Sequence, residues 1–248
     1  MKNIKLIIEY DGTNYNGWQR QDGKPKLRTL QAEIEKAIKK ITGAHSNLHA
    51  SGRTDSGVHA KAQIANFHTK SNIDPYRLKH SINSALPKDI SITDAQYADD
   101  DFHSRFCAKS KIYRYTILNR SPRSPFLDKF SLRIPYRLNL ALMKKEAKVL
   151  LGKHDFKSFK ASGIIEKNTT RTIRAIKINK DKNSIITIDI EADGFLHHMV
   201  RNIAGTLLEI ARGKLPEGSM EKILGAKDRK AAGLTLPAKG LCLMEVKY

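Results

Sequence analysis

The apolar residues of this chain recur with two periods, one typical of strands and one typical of amphipathic helices. The run IKLIIEYDG predicts a strand that ends at a glycine turn. A helix capped by Thr29 and stopped by Gly43 is predicted next. Its apolar positions are Leu30, Ile34, Ile38 and Ile41. Further strands around KAQIANFH and DISITDAQYA enclose a second helix from Pro75 to Ala85, which predicts a sheet with helices on one face.

The same alternation restarts after Cys107. KSKIYRYTIL predicts a strand, and a helix ending at Gly152 follows. The apolar positions of that helix are Leu140, Met143, Ala147, Leu150 and Leu151. Two β-rich runs, TRTIRAIKI and SIITIDIEA, lead into an apolar helix predicted from Phe195 to Ala211. A shorter helix near 217–226 and a final strand, LCLMEVKY, complete the pattern.

These elements predict an α+β fold made of two similar α/β halves. We expect an N-terminal half over residues 1–105 and a C-terminal half over residues 106–248. The sheets are expected to be mixed and mainly antiparallel, with flanking helices.

The charge composition of the chain indicates the kind of partner it binds. The 248 residues include 45 Lys and Arg but only 25 Asp and Glu, which leaves a formal net charge of +20. Such an excess concerns partners rather than fold, and nucleic acid is the first candidate. An anionic membrane surface is the alternative, and it is disfavoured because no single polybasic amphipathic helix stands out.

Targeting and cysteine signals point to the cytoplasm. The apolar run before Glu9 is too short for a signal peptide or a membrane span. Cys107 and Cys242 are the two cysteines and lie far apart in sequence, so they predict neither a disulfide framework nor a zinc cluster. We therefore expect a cytoplasmic protein with reduced thiols.

Metal and cofactor motifs give no positive signal. His197 and His198 fall in the predicted apolar helix, where neighbouring side chains project about 100° apart and chelate poorly. The acidic run DDDFH lacks the ligand spacing and glycine of a calcium loop. Phosphate-binding glycine loops are also missing from the sequence. The prediction is that the protein uses no metal and no cofactor.

The stretch HASGRTDSGVHAKAQ places Asp55 between Gly52 and Gly57 in this basic chain. One interpretation is ordinary turn chemistry, because Asp bonds its own downstream amides and Gly accepts a positive φ. The other is that the bend displays a reactive carboxylate. Arg201, a charge on an otherwise apolar helix, would need a carboxylate if buried. We therefore hypothesise that Asp55 and Arg201 pair.

The strand at 109–117 has a face of mixed character. Because side chains alternate across a strand, one face carries Lys109, Lys111, Tyr113 and Tyr115. Ammonium groups beside phenol rings suit phosphate contact and base stacking. Packing of the tyrosines in a core explains the same pattern equally well.

Five motifs in a fixed order resemble one family. They are YDGTNYNGWQRQ, GRTDSGVHA, DDDFHSRF with KIYRY, FLHHMVRNIAGTLLEI and KGLCLMEV, and they extend over essentially the whole chain. Together they resemble the tRNA pseudouridine synthase A family; Ser56 stands where many members have Ala. The resemblance implies the pseudouridine synthase fold, with an active-site cleft between two halves. It also implies a homodimer that isomerises uridine at positions 38, 39 and 40 of the tRNA anticodon stem-loop without cofactor or metal.

The resemblance also assigns residues. It implies that Asp55 is the essential catalytic carboxylate and that Tyr113 is the aromatic residue beside the target base. Arg53 and Arg201 match basic positions associated with opening the RNA helix and holding the aspartate. A uridine within a stem must be flipped out before it can react, and Arg53 is placed by sequence to fill the gap. Addition to the ring at C6, attack on C1′ and glycal formation all remain open as routes for Asp55.

Two alternative functions stay open at this point. The protein could act on another RNA or on another tRNA position. It could also be a non-catalytic RNA-binding or folding module, although the intact aspartate loop, Tyr113 and Arg201 favour an enzyme.

Overall fold

The computed structural model describes residues 1–21, 27–163 and 166–248, which form two units. One unit consists of Met1–Lys109 and Cys242–Tyr248, and the other of Ser110–Leu241. The strands, in chain order, are β1 (Lys2–Tyr10), β2 (His49–Ala50), β3 (His59–Thr69), β4 (Ile90–Ala98), β5 (Ser110–Leu118), β6 (Leu132–Arg133), β7 (Gly152–Asp155), β8 (Thr170–Lys180), β9 (Ile185–Ala192) and β10 (Leu241–Lys247). The α-helices are α1 (Leu30–Thr42), α2 (Pro75–Ala85), α3 (Leu140–Ala147), α4 (Met199–Ala211) and α5 (Ser219–Ala226). The sequence-based division at residues 105 and 106 stays a prediction.

The strands of the first unit follow the order β4-β1-β3-β10, and β2 also pairs with β3. β1 runs antiparallel to β3 and β4, and β2 runs antiparallel to β3, whereas β10 is parallel to β3. Alternate residues of β1 are buried, as a half-buried strand requires. They are Ile4, Leu6, Ile8 and Tyr10. The helix α2 packs against β4, and α1 packs against α2.

Local signals explain where α1 and α2 begin and end. Asp74 caps α2 by accepting the N–H of Tyr76 at 2.9 Å, and Pro75 occupies the first position, where no donor is needed. Gly43 ends α1 in the left-handed conformation, at a φ of +75°. Thr29 holds the predicted N-cap position of α1, but its hydroxyl makes no capping hydrogen bond.

The second unit contains an antiparallel sheet in the order β5-β9-β8-β7, with the short β6 parallel to β5. Tyr113 lies opposite Ile190, and Tyr115 lies opposite Ile188. These four residues are all buried, so the tyrosine face of β5 is a core-facing surface. The helix α4 packs against β5 and against α3. Within the described residues, no helix is both long and apolar enough to cross a membrane.

Two predicted helix boundaries are wrong. The helix predicted from Phe195 begins later, at Met199, because His198 adopts a left-handed φ of +62° that an α-helix cannot continue. His197 and His198 therefore precede the helix, and their ring centroids lie 3.9 Å apart with the ring planes tilted by 32°. The helix α3 ends at Ala147 and tightens into a 3₁₀ turn, so Leu151 is extended and exposed rather than helical.

Residues 233–240 pass so close to α4 and β5 that three glycines are required. A Cβ on Gly205 would lie 1.8 Å from the Leu234 carbonyl oxygen. A Cβ on Gly233 would lie 2.9 Å from the Cα of Thr206, and one on Gly240 would lie 2.6 Å from the Tyr115 ring. The segment is thus fixed to both elements by direct backbone contact.

Replacement of Gly205 by Ala should destabilise the protein by more than about 2 kcal/mol, since the new methyl group overlaps backbone that cannot rotate away. Gly225→Ala is a matched control, because Gly225 is also helical but its added Cβ would meet nothing within 4 Å. The control should be neutral or stabilising by up to about 1 kcal/mol. Urea-unfolding midpoints measure both changes. Equal midpoints would contradict the close approach.

Candidate functional site

Asp55 lies in the loop between β2 and β3. Its backbone carbonyl accepts the N–H of Val58 at 3.2 Å, and Gly57 completes the bend at a φ of +77°. The Asp55 side chain is half-buried, whereas Arg53 is exposed. The backbone around Asp55 therefore forms an ordinary turn, and the carboxylate of Asp55 stays partly accessible.

Residues 10–18 of the first unit support the part of this loop that carries Asp55. The Tyr10 hydroxyl lies 2.8 Å from the Thr54 hydroxyl, and the Trp18 N–H donates to the Thr54 carbonyl at 3.0 Å. The Tyr15 carbonyl accepts from the Ser56 hydroxyl at 2.9 Å and from the Gly57 N–H at 3.3 Å. Both residues that flank Asp55 are thus held to the N-terminal segment.

Two glycines allow the segments to touch at the backbone. A Cβ on Gly12 would lie 2.0 Å from the Val58 carbonyl oxygen. Gly17 adopts a φ of +87°, and a Cβ there would lie 2.8 Å from the Thr54 carbonyl oxygen and 3.2 Å from the Ser56 nitrogen. The glycines of YDGTNYNGW are therefore required by the loop that carries Asp55.

Two tyrosines of the supporting segment stay neutral phenols. Burial raises the pKa of Tyr10 well above its ordinary value, and hydrogen bonds from its partners offset this only in part. Burial also raises the pKa of Tyr15, and its hydrogen bond to Asp89 raises it further. The Arg28 guanidinium stacks 4.4 Å from the Tyr15 ring centroid and bonds the other Asp89 oxygen. This cluster anchors the supporting segment on the side of β4.

Tyr113 and Tyr115 are both buried on β5, but their surroundings differ. Tyr115 is fully buried and donates its hydroxyl proton to the Pro237 carbonyl at 2.8 Å, which is core packing. Tyr113 keeps 7% of its surface exposed and meets Phe195 edge-on, with ring centroids 5.1 Å apart. Core packing thus accounts for Tyr115, while Tyr113 lies beside the turn that precedes α4.

Arg201 lies in the first turn of α4 and is half-buried. Its Nε–H donates to the Leu236 carbonyl at 2.7 Å, so the guanidinium is oriented by the glycine-rich segment at 233–240. The Leu236 N–H in turn donates to the Arg201 carbonyl at 3.3 Å. Burial raises the pKa of Tyr115 above its ordinary value, and the positive charge of Arg201 offsets this only in part.

The four residues predicted as a site fall into two pairs. Arg53 and Asp55 share one loop of the first unit, and Tyr113 and Arg201 lie on β5 and α4, which pack together in the second unit. The pairing of Asp55 with Arg201 stays a hypothesis. Sequence reasoning used Gly12 only as the turn that ends the first strand and did not single out Gly17; the signal for both is that two glycines follow that strand closely.

Comparison with known proteins decides the family. The model of a family described as "tRNA pseudouridine synthase" matches residues 6–107 and 147–248. The chain is 46% identical, over the full length of both proteins, to "tRNA pseudouridine synthase A" of Thermoanaerobacter sp. (strain X514). It is also 46% identical, again over both full lengths, to "tRNA pseudouridine synthase A 2" of Clostridium perfringens (strain 13 / Type A).

The chain belongs to the tRNA pseudouridine synthase family. Because the family model matches two regions, the predictions of the family and of an α+β fold with two similar halves are confirmed. A solved chain in the "Crystal Structure of a Cbf5-Nop10-Gar1 Complex" aligns with 96% of this chain and 57% of its own length, at 11% identity and a TM-score of 0.38. That likeness is too weak to add to the family assignment.

Gly17→Ala should displace the Asp55 loop, and Gly43→Ala is its matched control. Both glycines have a positive φ, so each Ala costs roughly 1–2 kcal/mol in backbone strain. Only the Gly17 variant also pushes a methyl group into Thr54, whereas the added Cβ of Gly43 meets nothing within 4 Å.

The emission of Trp18, the one tryptophan in the sequence, measures this displacement, because the residue is 1% exposed and bonded to Thr54. We expect a red shift in Gly17→Ala and an unchanged spectrum in Gly43→Ala. Identical spectra for the two variants would rule out steric support of the loop by this glycine.

Proposed function

We propose that this protein is a tRNA pseudouridine synthase, an intramolecular transferase that converts uridine to pseudouridine in tRNA. We further propose that Asp55 is its catalytic carboxylate. The observation that supports this most is the position of Asp55, a partly accessible acid on a loop fixed at both flanking residues. A reacting group must be held in place while its surface stays available to the substrate.

The reaction defines what the carboxylate must do. The N1–C1′ bond of uridine breaks, the uracil turns, and a C5–C1′ bond forms; C5 loses a proton, N1 gains one, and there is no net change in oxidation state. An ionised carboxylate serves any of the three routes: addition at C6, attack on C1′, or removal of a sugar proton to give a glycal. Each route requires Asp55 at the sugar–base junction.

Arg53 and Tyr113 fit the step that exposes the uridine. Flipping a base out of a stem leaves a gap, and Arg53 is exposed on the same loop as Asp55. We assign Arg53 to that gap. We assign Tyr113 to contact with the flipped base, a type of contact worth about 1–3 kcal/mol when rings stack. Because Tyr113 is 7% exposed, only a small part of its surface is available for this contact.

Arg201 is assigned to substrate binding. Its guanidinium has five N–H donors, and the contact with Leu236 fixes its orientation through Nε. A guanidinium held in one orientation suits recognition of a phosphate or a carboxylate better than a mobile one.

The target positions, the oligomeric state and the location of the protein are proposed from its resemblance to the family. We propose that the target uridines are at positions 38, 39 and 40 of the anticodon stem-loop, that the protein works as a homodimer, and that it acts in the cytoplasm. The net charge of +20 supports a tRNA partner, whose binding should weaken steeply with salt. Mapping pseudouridines in tRNA from a strain lacking this protein separates these positions from other sites.

Asp55→Asn should abolish pseudouridine formation, because the amide is nearly isosteric but carries no negative charge. Affinity for tRNA should stay within a few-fold of the unmodified protein. Tritium release from tRNA labelled at uridine C5 measures turnover, and fluorescence anisotropy measures binding. Substantial turnover by the variant would refute the assignment of Asp55. Failure of the unmodified protein to release tritium would instead favour a non-catalytic RNA-binding module.

Tyr113→Phe keeps the ring and removes the hydroxyl, which separates base contact from proton transfer. If the hydroxyl assists loss of the C5 proton, turnover should fall by roughly 10²–10⁴-fold while tRNA affinity is unchanged. Single-turnover tritium release measures this. Tyr115→Phe is not an equivalent control, since it removes the hydrogen bond to Pro237. Full turnover by Tyr113→Phe would limit this residue to base contact.

A further inference from the structure

A polar cavity of about 440 Å³ lies in the second unit, beside the turn that precedes α4. Its polar lining residues are Ser162, His197, His198, Arg229, Lys230 and Thr235. Two of these are cations, two are imidazoles and two are hydroxyls, and none is acidic. The volume of the cavity is in the range of small-ligand sites, and both of its charged lining residues are cations.

The guanidinium of Arg229 contacts neutral acceptors. Its guanidinium donates to the Thr235 hydroxyl at 2.9 Å, the Asn202 side-chain oxygen at 3.2 Å and the Ala232 carbonyl at 3.2 Å. All three acceptors are neutral, and in the described part of the chain no carboxylate forms an ion pair with it. Burial lowers the pKa of Arg229, yet a guanidinium stays protonated in proteins.

The carboxylate next to Arg229 in sequence, that of Asp228, accepts a backbone hydrogen bond. Asp228 caps the 3₁₀ turn Arg229–Ala231 by accepting the Lys230 backbone N–H at 3.0 Å. Its backbone N–H donates to the buried Ser158 hydroxyl at 2.9 Å, which ties the start of the turn to the core. The turn therefore holds Arg229 and Lys230 in place at the cavity wall.

Arg229 is also preorganised through Asn202. This residue of α4 is fully buried, and its Nδ2 donates to the Phe159 carbonyl at 2.7 Å, which leaves its Oδ1 to accept. That oxygen receives both the Arg229 guanidinium and, at 2.6 Å, the Thr235 hydroxyl. The contacts of Arg229 use both N–H groups of Nη2 and one of Nη1, which leaves the Nε–H and one Nη1–H of this oriented guanidinium to donate to a ligand in the cavity.

We propose that this cavity binds a phosphodiester group of the tRNA backbone, with Arg229 and Lys230 as its cations. The inference rests on the proposed tRNA substrate and deepens it by assigning a phosphate site outside the four residues discussed above. Arg229 orients the phosphate. Lys230 is exposed and adds a second positive charge, and its ammonium group makes no hydrogen bond or ion pair within the described residues. The site should thus contribute to affinity without taking part in bond breaking.

The test compares Lys230→Ala with Lys182→Ala. Lys182 is an exposed lysine in the β8–β9 turn that does not line the cavity. The affinity of each variant for unmodified tRNA is measured by fluorescence anisotropy across a salt series. Loss of one phosphate contact should reduce the slope of log K against log salt by about 0.9 in Lys230→Ala. Lys182→Ala should retain the full slope.

A second variant examines the guanidinium of Arg229. Arg229→Lys keeps the charge but loses the planar group that Asn202, Thr235 and Ala232 orient, so tRNA affinity should fall roughly 5- to 100-fold. Its thermal midpoint is compared with that of the unmodified protein to exclude unfolding. Equal slopes for the two lysine variants, together with unchanged affinity of a folded Arg229→Lys, would overturn the proposal.

Inorganic phosphate identifies the source of the ligand. It should compete with tRNA more strongly in the unmodified protein than in Lys230→Ala. If phosphate raises the thermal midpoint of the unmodified protein but both variants bind tRNA normally, the cavity binds free phosphate and the tRNA assignment is wrong. Tritium release separates the two proposals. If the protein turns over tRNA but Lys230→Ala keeps the full salt slope, only the phosphate site is contradicted. If Lys230→Ala has a reduced slope but the protein releases no tritium, only the proposed enzymatic function is contradicted.

Discussion

Direct contact between two backbone segments is the constraint on which the proposed catalytic loop depends. Gly12 and Gly17 leave no room for a Cβ, so residues 10–18 lie directly against the carbonyls of Thr54 and Val58. Hydrogen bonds then fix the residues on both sides of Asp55. An acid on a short surface loop would otherwise sample many positions, and here residues 10–18 determine its position mainly through backbone contacts.

The second unit also contains a segment that is held by close backbone contact at glycines. Residues 233–240 cross α4 at Gly205 and β5 at Gly240, and both crossings exclude a Cβ. This segment orients Arg201 through Leu236, and Arg229 through Thr235. A residue assigned to the substrate and a residue assigned to a phosphate site are therefore positioned by one short stretch, so changes in it should affect both.

Periodicity predicted most of the fold because apolar spacing reports which side of an element is buried. It failed where the backbone changed direction without glycine or proline. The apolar run before Met199 has helical character, but the left-handed conformation of His198 is imposed by tertiary structure and leaves no trace in the spacing. Asp55 could be selected from its setting and from the resemblance. The roles of Gly12, Gly17 and Arg229 could not, because each depends on a contact with residues distant in sequence.

The position of β10 has a consequence for synthesis on the ribosome. This strand follows the second unit in the sequence, pairs in parallel with β3 and completes a sheet whose other strands are made in the first hundred residues. During translation the part of the β3 edge at His59 and Ala60 must therefore stay unpaired on that side until the whole intervening unit has emerged. An unpaired strand edge is prone to associate with other chains, so nascent protein should be most vulnerable to aggregation in that interval.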